Sequence, residues 1–411
     1  MEALSCEGDL ILPWFYGWNV LGVGMMSMAM TMGVVFAAFS FFAVAWMETF
    51  GTSRGETLLI LSVAQLLTGF LYPFTGRAMD RSSLRWIGAA GILCLAAGLL
   101  LSSFTTALWQ LLAIYALLMA AANALAGALF SQTLAAHWFR RRRGLALGVS
   151  SIGSSLGALI FPLLVSTLLG VMDWRQTMQL LALVMPLIAL PLMLLVVGDS
   201  PEQKGIAPDT DFAQPEEQIE AAWTTPMILR ERYFWAMLVA LVPIVVAPVA
   251  LTGNLAPYAG DLGISAQAAG GMMSIWALCN ILGKVSFGYL ADRIEQRLLY
   301  LLALLPSVMA LLLLLLAPSY LTLLLAMMAL GVGSGGYLPL IGMMISRHFG
   351  VLAYGSVVGL FLMCTRATVL APPGAGWVRD HFGSYDYFWI GVLLLFALCA
   401  PAIIFVREGG R

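Results

Sequence analysis

Two cations lie deep in apolar sequence. Lys284 sits in the run Gly270 to Val285, and Arg366 sits in the run Val357 to Leu370. Each run belongs to a stretch long enough to cross a bilayer, where a lone charge costs about 3 kcal/mol on insertion scales unless something answers it. All acidic residues fall in loops, tails or span ends, so neither cation has an acidic neighbour in sequence. Two unanswered cations in one half of a chain are suited to binding an anion brought from outside. Asn280, four residues before Lys284, shares its helix face and can orient such a ligand. Thr365 stands beside Arg366. Tyr337, in the tenth apolar stretch, and Asn123, in the fourth, are the further polar candidates for the site. The competing readings are ordinary. Lys284 can snorkel to an interface, Arg366 can bond a neighbour's backbone carbonyls, and polar residues in spans often serve only helix pairing.

The elements that must hold these residues are membrane helices. Of 411 residues, 61% are hydrophobic and only 10% are charged, which suits a polytopic membrane protein and no soluble fold. A net charge of -1 implies no nucleic-acid partner. The five cysteines are scattered, and His137, His348 and His381 have no metal-ligand spacing, so neither a disulfide framework nor a metal site is expected. No nucleophile–base set is visible, so an enzyme is not expected, and no cofactor is implied. Gly331 to Gly336 lacks the Lys-Ser/Thr of a phosphate loop and reads as a close-packing helix. Acidic Glu2, Glu7 and Asp9 argue against a signal peptide.

Twelve helical spans are expected, in an all-α membrane fold of two pseudo-symmetric six-helix bundles. The N-terminal bundle is residues 1–198, a polar linker with a mobile centre occupies 199–232, and the C-terminal bundle is 233–411. Fifteen Lys and Arg fall on one face, only Arg54, Arg175 and Arg379 fall on the other, and Lys284 and Arg366 complete the twenty. That bias puts both termini, the linker and Arg140 to Arg143 in the cytoplasm of a cell whose plasma or inner membrane holds the protein. The turn Gly76 to Arg81 after span two recurs as Gly288 to Arg293 after span eight, its aspartates 212 positions apart. The repeat argues for duplicated halves. Asp80, Arg81, Asp292, Arg293 and Arg143 are the candidate gating residues. The two aspartates are expected to latch the cytoplasmic side through arginines of adjacent helices. Pro372-Pro373-Gly374 should bend span eleven in its outer third.

These stretches together resemble the major facilitator superfamily, most closely its monocarboxylate transporter and oxalate–formate antiporter branches. The resemblance rests on Tyr16 to Val20, Trp138 to Gly148, Asn254 to Tyr258 with Asp261 to Ser265, and Asn280 to Arg293. It implies a secondary active transporter of a small mono- or dicarboxylate, a monomer in the bilayer working by alternating access. It also implies that the span-eight cation contacts the substrate carboxylate. This chain departs from the pattern in having Lys284 where the family usually has Arg, and Asn254 where it often has His. The oxalate exchangers carry a span-eleven Lys where this chain has Arg366. Many monocarboxylate carriers place a titratable carboxylate in span eight, where this chain has Asn280, which cannot titrate. Proton-coupled symport is expected, the proton entering with the substrate or on Lys284, with carboxylate/carboxylate exchange as the alternative.

Overall fold

A chain in hydrocarbon must satisfy its backbone N–H and C=O groups internally, and the α-helix does so within one segment. The computed structural model describes residues 15–52, 54–206, 223–264, 266–316 and 319–405. Twelve of its helices are long and apolar enough to cross a membrane. The first six are α1 Gly17–Ala37, α2 Glu56–Arg81, α3 Leu84–Ser103, α4 Leu108–Trp138, α5 Arg143–Leu169 and α6 Trp174–Val196. The last six are α7 Arg232–Leu255, α8 Ala268–Ala291, α9 Gln296–Leu316, α10 Tyr320–His348, α11 Tyr354–Arg379 and α12 Asp386–Ile404. They pack as two six-helix bundles. Within the first, α3 lies along α6 and α1 along α5. Within the second, α10 lies along both α8 and α9.

The long polar break is partly structured. Asp199 accepts bonds from the Leu84 amide at 2.7 Å and from Ser83 Oγ at 3.0 Å, capping α3. Lys204 Nζ reaches back to the Val196 carbonyl at 2.7 Å and the Tyr16 hydroxyl at 2.7 Å, placing a cation at the C-terminal end of α6. On the other side, a short helix Thr225–Arg230 leads into α7. The centre of this break, expected to be mobile, lies at 207–222, outside the described residues.

Two spans break where they pass the middle of the molecule. The α4 helix stops at Ala126, and Gly127 (φ -92, ψ -141) separates it from the helix Ala128–Trp138. In α10 the break falls at Gly336, before the helix Tyr337–His348. The glycine-rich run before it is a packing surface, as expected. A Cβ on Gly331 would lie 2.8 Å from the Cys279 Cβ, and one on Gly335 would lie 2.8 Å from the Lys284 nitrogen.

The bend in α11 comes earlier than its prolines alone suggest. Residues Arg366–Leu370 form a 3-10 segment, and the α-helix restarts at Ala371 with proline at its first positions. Pro372 and Pro373 have no N–H to give the carbonyls one turn back. The helix tightens there, the Ala371 amide bonding the Thr368 carbonyl. Asn254 Nδ2 on α7 bonds the Pro372 carbonyl at 2.9 Å, fixing the restart.

The bundles meet along α2 with α11 and α5 with α8, with further contacts of α10 and α4. Both main interfaces are seams of glycine. A Cβ on Gly355 of α11 would lie 2.6 Å from the Gly76 carbonyl oxygen of α2, and one on Gly144 of α5 would lie 2.6 Å from that of Gly288 on α8. No side chain fits at that approach. The matching halves are evident in the numbering. Gly76 and Asp80 match Gly288 and Asp292 at an offset of 212, while Gly144 and Gly148 match Gly355 and Gly359 at 211.

Candidate functional site

Below each glycine seam, toward the arginine-rich face, an aspartate crosses between bundles. Asp80 of α2 accepts from the Gly355 amide at 2.8 Å, the Ser356 amide at 2.7 Å, and Ser356 Oγ, all at the start of α11. Asp292, just after α8, accepts from the Gly144 amide at 2.7 Å and the Leu145 amide at 3.0 Å at the start of α5. The first amides of a helix have no partner of their own, and that end of the helix is positive, so a carboxylate fits there twice over. This corrects the expected chemistry of the Asp80 latch. Its hydrogen bonds come from a helix N-terminus of the opposite bundle, and Arg81, exposed, acts on it through charge alone. Arg293 lies over the Tyr289 ring at 4.1 Å, and Arg143 Nε donates to the Phe139 carbonyl at 3.0 Å.

Above each seam stands one of the two cations. Lys284 is 5% exposed, and its Nζ donates to Ser154 Oγ at 2.9 Å and Ser155 Oγ at 2.7 Å on α5. Arg366, half-buried, donates from Nη2 to the Tyr72 hydroxyl of α2 at 2.8 Å, with its guanidinium 5.2 Å from that ring's centre. Neither cation forms an ion pair among the described residues. Both are answered by neutral hydroxyls of the first bundle, which the sequence reading did not single out. Paired serines on a glycine-bearing span were the available signal for Ser154 and Ser155.

A pocket of about 160 Å³ lies within the second bundle, lined by Val245, Pro248, Val249 and Thr252 of α7, Trp276 and Asn280 of α8, and Ser334 and Tyr337 of α10; two of these residues lead to the cations. Asn280 is the link to Lys284. Its Oδ1 accepts from Ser155 Oγ at 3.4 Å, and its Nδ2 donates to Ser334 Oγ at 3.0 Å. Tyr337, first residue after the Gly336 break, is the link to the other cation, interacting with Thr365 and Arg366. Trp276 Nε1 has no hydrogen-bond partner among the described residues. Lys284, Asn280, Tyr337 and Arg366 are thus brought together. Asn123 is not, being 0% exposed inside the first bundle, where its amide lies against Gly127 at the α4 break. It does not line the pocket.

The cross-bundle bonds of Asp80, Asp292, Lys284 and Arg366, with that from the Tyr354 hydroxyl to Gln132 Oε1 at 3.3 Å, lie in the half of the spans nearer the arginine-rich face, whereas the pocket lies beyond them. Two six-helix bundles joined along one side, with two buried or half-buried cations at their contacts, define a class, the two-bundle membrane transporter. The family model of the Major Facilitator Superfamily matches residues 21–258 and 247–411, and the chain belongs to that superfamily. It is similar to Monocarboxylate transporter 12 of Rattus norvegicus, 25% identical over 95% of this chain and 84% of that protein. It is also similar to Monocarboxylate transporter 13 of Bos taurus, 28% identical over 90% of this chain and 84% of that protein. Among solved structures, a bacterial homologue of the iron transporter ferroportin in the outward-facing state shares the fold (TM-score 0.70, 14% identity, 95% of this chain and 99% of that one). FucP in the outward conformation shares it too (TM-score 0.67, 16% identity, 97% and 99%).

Proposed function

We propose that the protein carries a small mono- or dicarboxylate across the cytoplasmic membrane by alternating access. The observation behind this reading is the pair of cations, each one side-chain step from the pocket, with no carboxylate among the described residues to neutralise either. Asn280 and Tyr337 orient the anion between them, with the Trp276 indole N–H as a further donor. Arg366 offers a planar fork for a carboxylate, and Lys284 a compact point charge. The Asp80 and Asp292 caps hold the arginine-rich side closed, and their release lets the bundles rock about the pocket. A thermal-shift screen of purified protein against mono- and dicarboxylates tests the substrate class, since a ligand of the folded state raises apparent stability by mass action. Stabilisation by carboxylates and not by neutral or cationic analogues is the expected result. No stabilisation by any anion would count against it.

For coupling we propose proton symport, with anion exchange as the second reading. Of the two cations only a lysine can release its proton, and Lys284 is held by neutral hydroxyls. Asn280, which cannot titrate, is what favours exchange. In proteoliposomes containing buffer alone, an inward proton gradient should drive uptake of labelled carboxylate. Uptake only after a counter-anion is preloaded would exclude symport and establish exchange.

The cation bias gives the orientation, with the arginine-rich face, the linker and both termini in the cytoplasm. In a cysteine-free background of intact cells, an impermeant maleimide should label a cysteine at Thr106 and spare one at Ser82. The reverse pattern would invert the topology.

A further inference from the structure

The bonds that hold the two cations are related to each other by the internal repeat. Tyr72 stands eight residues before Asp80, and Lys284 stands eight before Asp292. The α5–α11 offset of 211 that pairs Gly144 with Gly355 also pairs Ser155 with Arg366. The Tyr72–Arg366 and Lys284–Ser155 contacts are therefore one contact made twice, with donor and acceptor exchanged between the partner helices. In both, the cation belongs to the second bundle and the hydroxyl to the first. Each interface then has three levels, running from the pocket toward the arginine-rich face: a cation–hydroxyl bond, a glycine seam and an aspartate cap.

We propose that Tyr72 and Ser155, with Ser154 beside it, are positioning residues that tether the empty carrier and surrender the cations to the substrate. This rests on the carboxylate reading above. A carboxylate in the hydroxyls' place would neutralise the cation permanently and compete with any anion. A hydroxyl accepts the N–H bond and leaves the charge unspent. An incoming carboxylate accepts the same bond and adds an ion pair in a site shielded from water, where such a pair is strongest. The exchange moves the cation's partner from the opposite bundle to the substrate. Because the two tethers are equivalent, one bound anion loosens the pocket-side level of both interfaces and leaves the bundles joined by the seams and caps. The order of contact follows from exposure. Arg366 spends one donor on Tyr72 and has no other hydrogen bond among the described residues, so it meets the anion first. Lys284, 5% exposed and bound to two serines, is reached only by displacing them.

The test uses the full chain with spin labels at Ser82 and Glu295, one in each bundle on the arginine-rich face. Distances are measured by double electron–electron resonance without ligand, and binding of acetate and oxalate is measured by calorimetry. Tyr72→Phe, and separately Ser154→Ala with Ser155→Ala, should each spread the ligand-free distance distribution toward longer values, because the seams and caps alone then hold the closed face. Each should also bind the anion about three- to tenfold more tightly, the competing hydroxyl bond being gone. Weaker binding in these variants would overturn the proposal and make the hydroxyls substrate ligands. Unchanged distances and affinity would overturn it equally. Tyr72→Phe removes one oxygen and keeps the packed ring, so it decides the matter if the serine variant fails to fold. If the parent protein binds neither anion nor any carboxylate of the thermal-shift screen, the carboxylate reading fails, while the ligand-free distances still decide whether the tethers exist.

Discussion

Arg366→Gln is expected to abolish carboxylate transport while the protein remains folded in the membrane. Hydrogen bonds to charged groups contribute about 1.5–3 kcal/mol each, so losing a two-bond fork predicts at least a hundredfold drop in uptake. Folding should survive because Arg366 makes one hydrogen bond among the described residues, to Tyr72, and glutamine retains an N–H that can replace it. Arg366→Lys should keep only part of the activity, since a point charge replaces the planar fork. Retention of full uptake by the glutamine variant, at normal expression and melting temperature, would end the anion-site reading.

The second large effect concerns the latch. Asp80→Asn and Asp292→Asn should each lower the maximal transport rate by about ten- to a hundredfold, the equivalent of one charge-assisted bond set lost from the closed state. Substrate affinity should change little. Asp292 is eight residues from Lys284, about 12 Å along the helix, and its bonds go to helix amides remote from the pocket. The two variants should behave alike, because both caps do the same work at repeat-related positions. A loss of affinity with no change in rate would remove the gating role.

Much of this architecture was legible in the chain. Twelve apolar stretches and the recurrence of Gly76-to-Arg81 as Gly288-to-Arg293 were enough for two six-helix halves. Helix periodicity was enough to put Asn280 and Lys284 on one face. The hydroxyl partners were not legible from local pattern. Ser155 is 129 residues from Lys284, and Tyr72 is 294 from Arg366. Serine and tyrosine in spans usually serve packing, so residue type says little, and the paired serines mark a polar spot on α5 without naming its partner. The repeat itself held the missing information: the offset between the two aspartates, carried back eight residues, pairs Tyr72 with Lys284. Asn123 shows the opposite limit. A polar residue in a span reads as a pore residue, and only tertiary packing shows that Asn123 is fully buried and off the pocket. The turn in each half marks where an aspartate crosses between bundles, but the expected arginine partners are replaced at Asp80 by helix amides. Unpaired backbone amides carry no letter in a sequence, whereas arginines do.

The most direct measurement is counterflow in proteoliposomes, which scores carriage of an anion whether or not protons are coupled to it. Vesicles holding the purified protein are preloaded with an unlabelled mono- or dicarboxylate and diluted into a trace of the same labelled anion. The protein should accumulate label transiently above equilibrium for at least one carboxylate of a broad panel, and Arg366→Gln should accumulate none. A folded parent protein giving no counterflow with any carboxylate, or a glutamine variant matching it, would contradict the account.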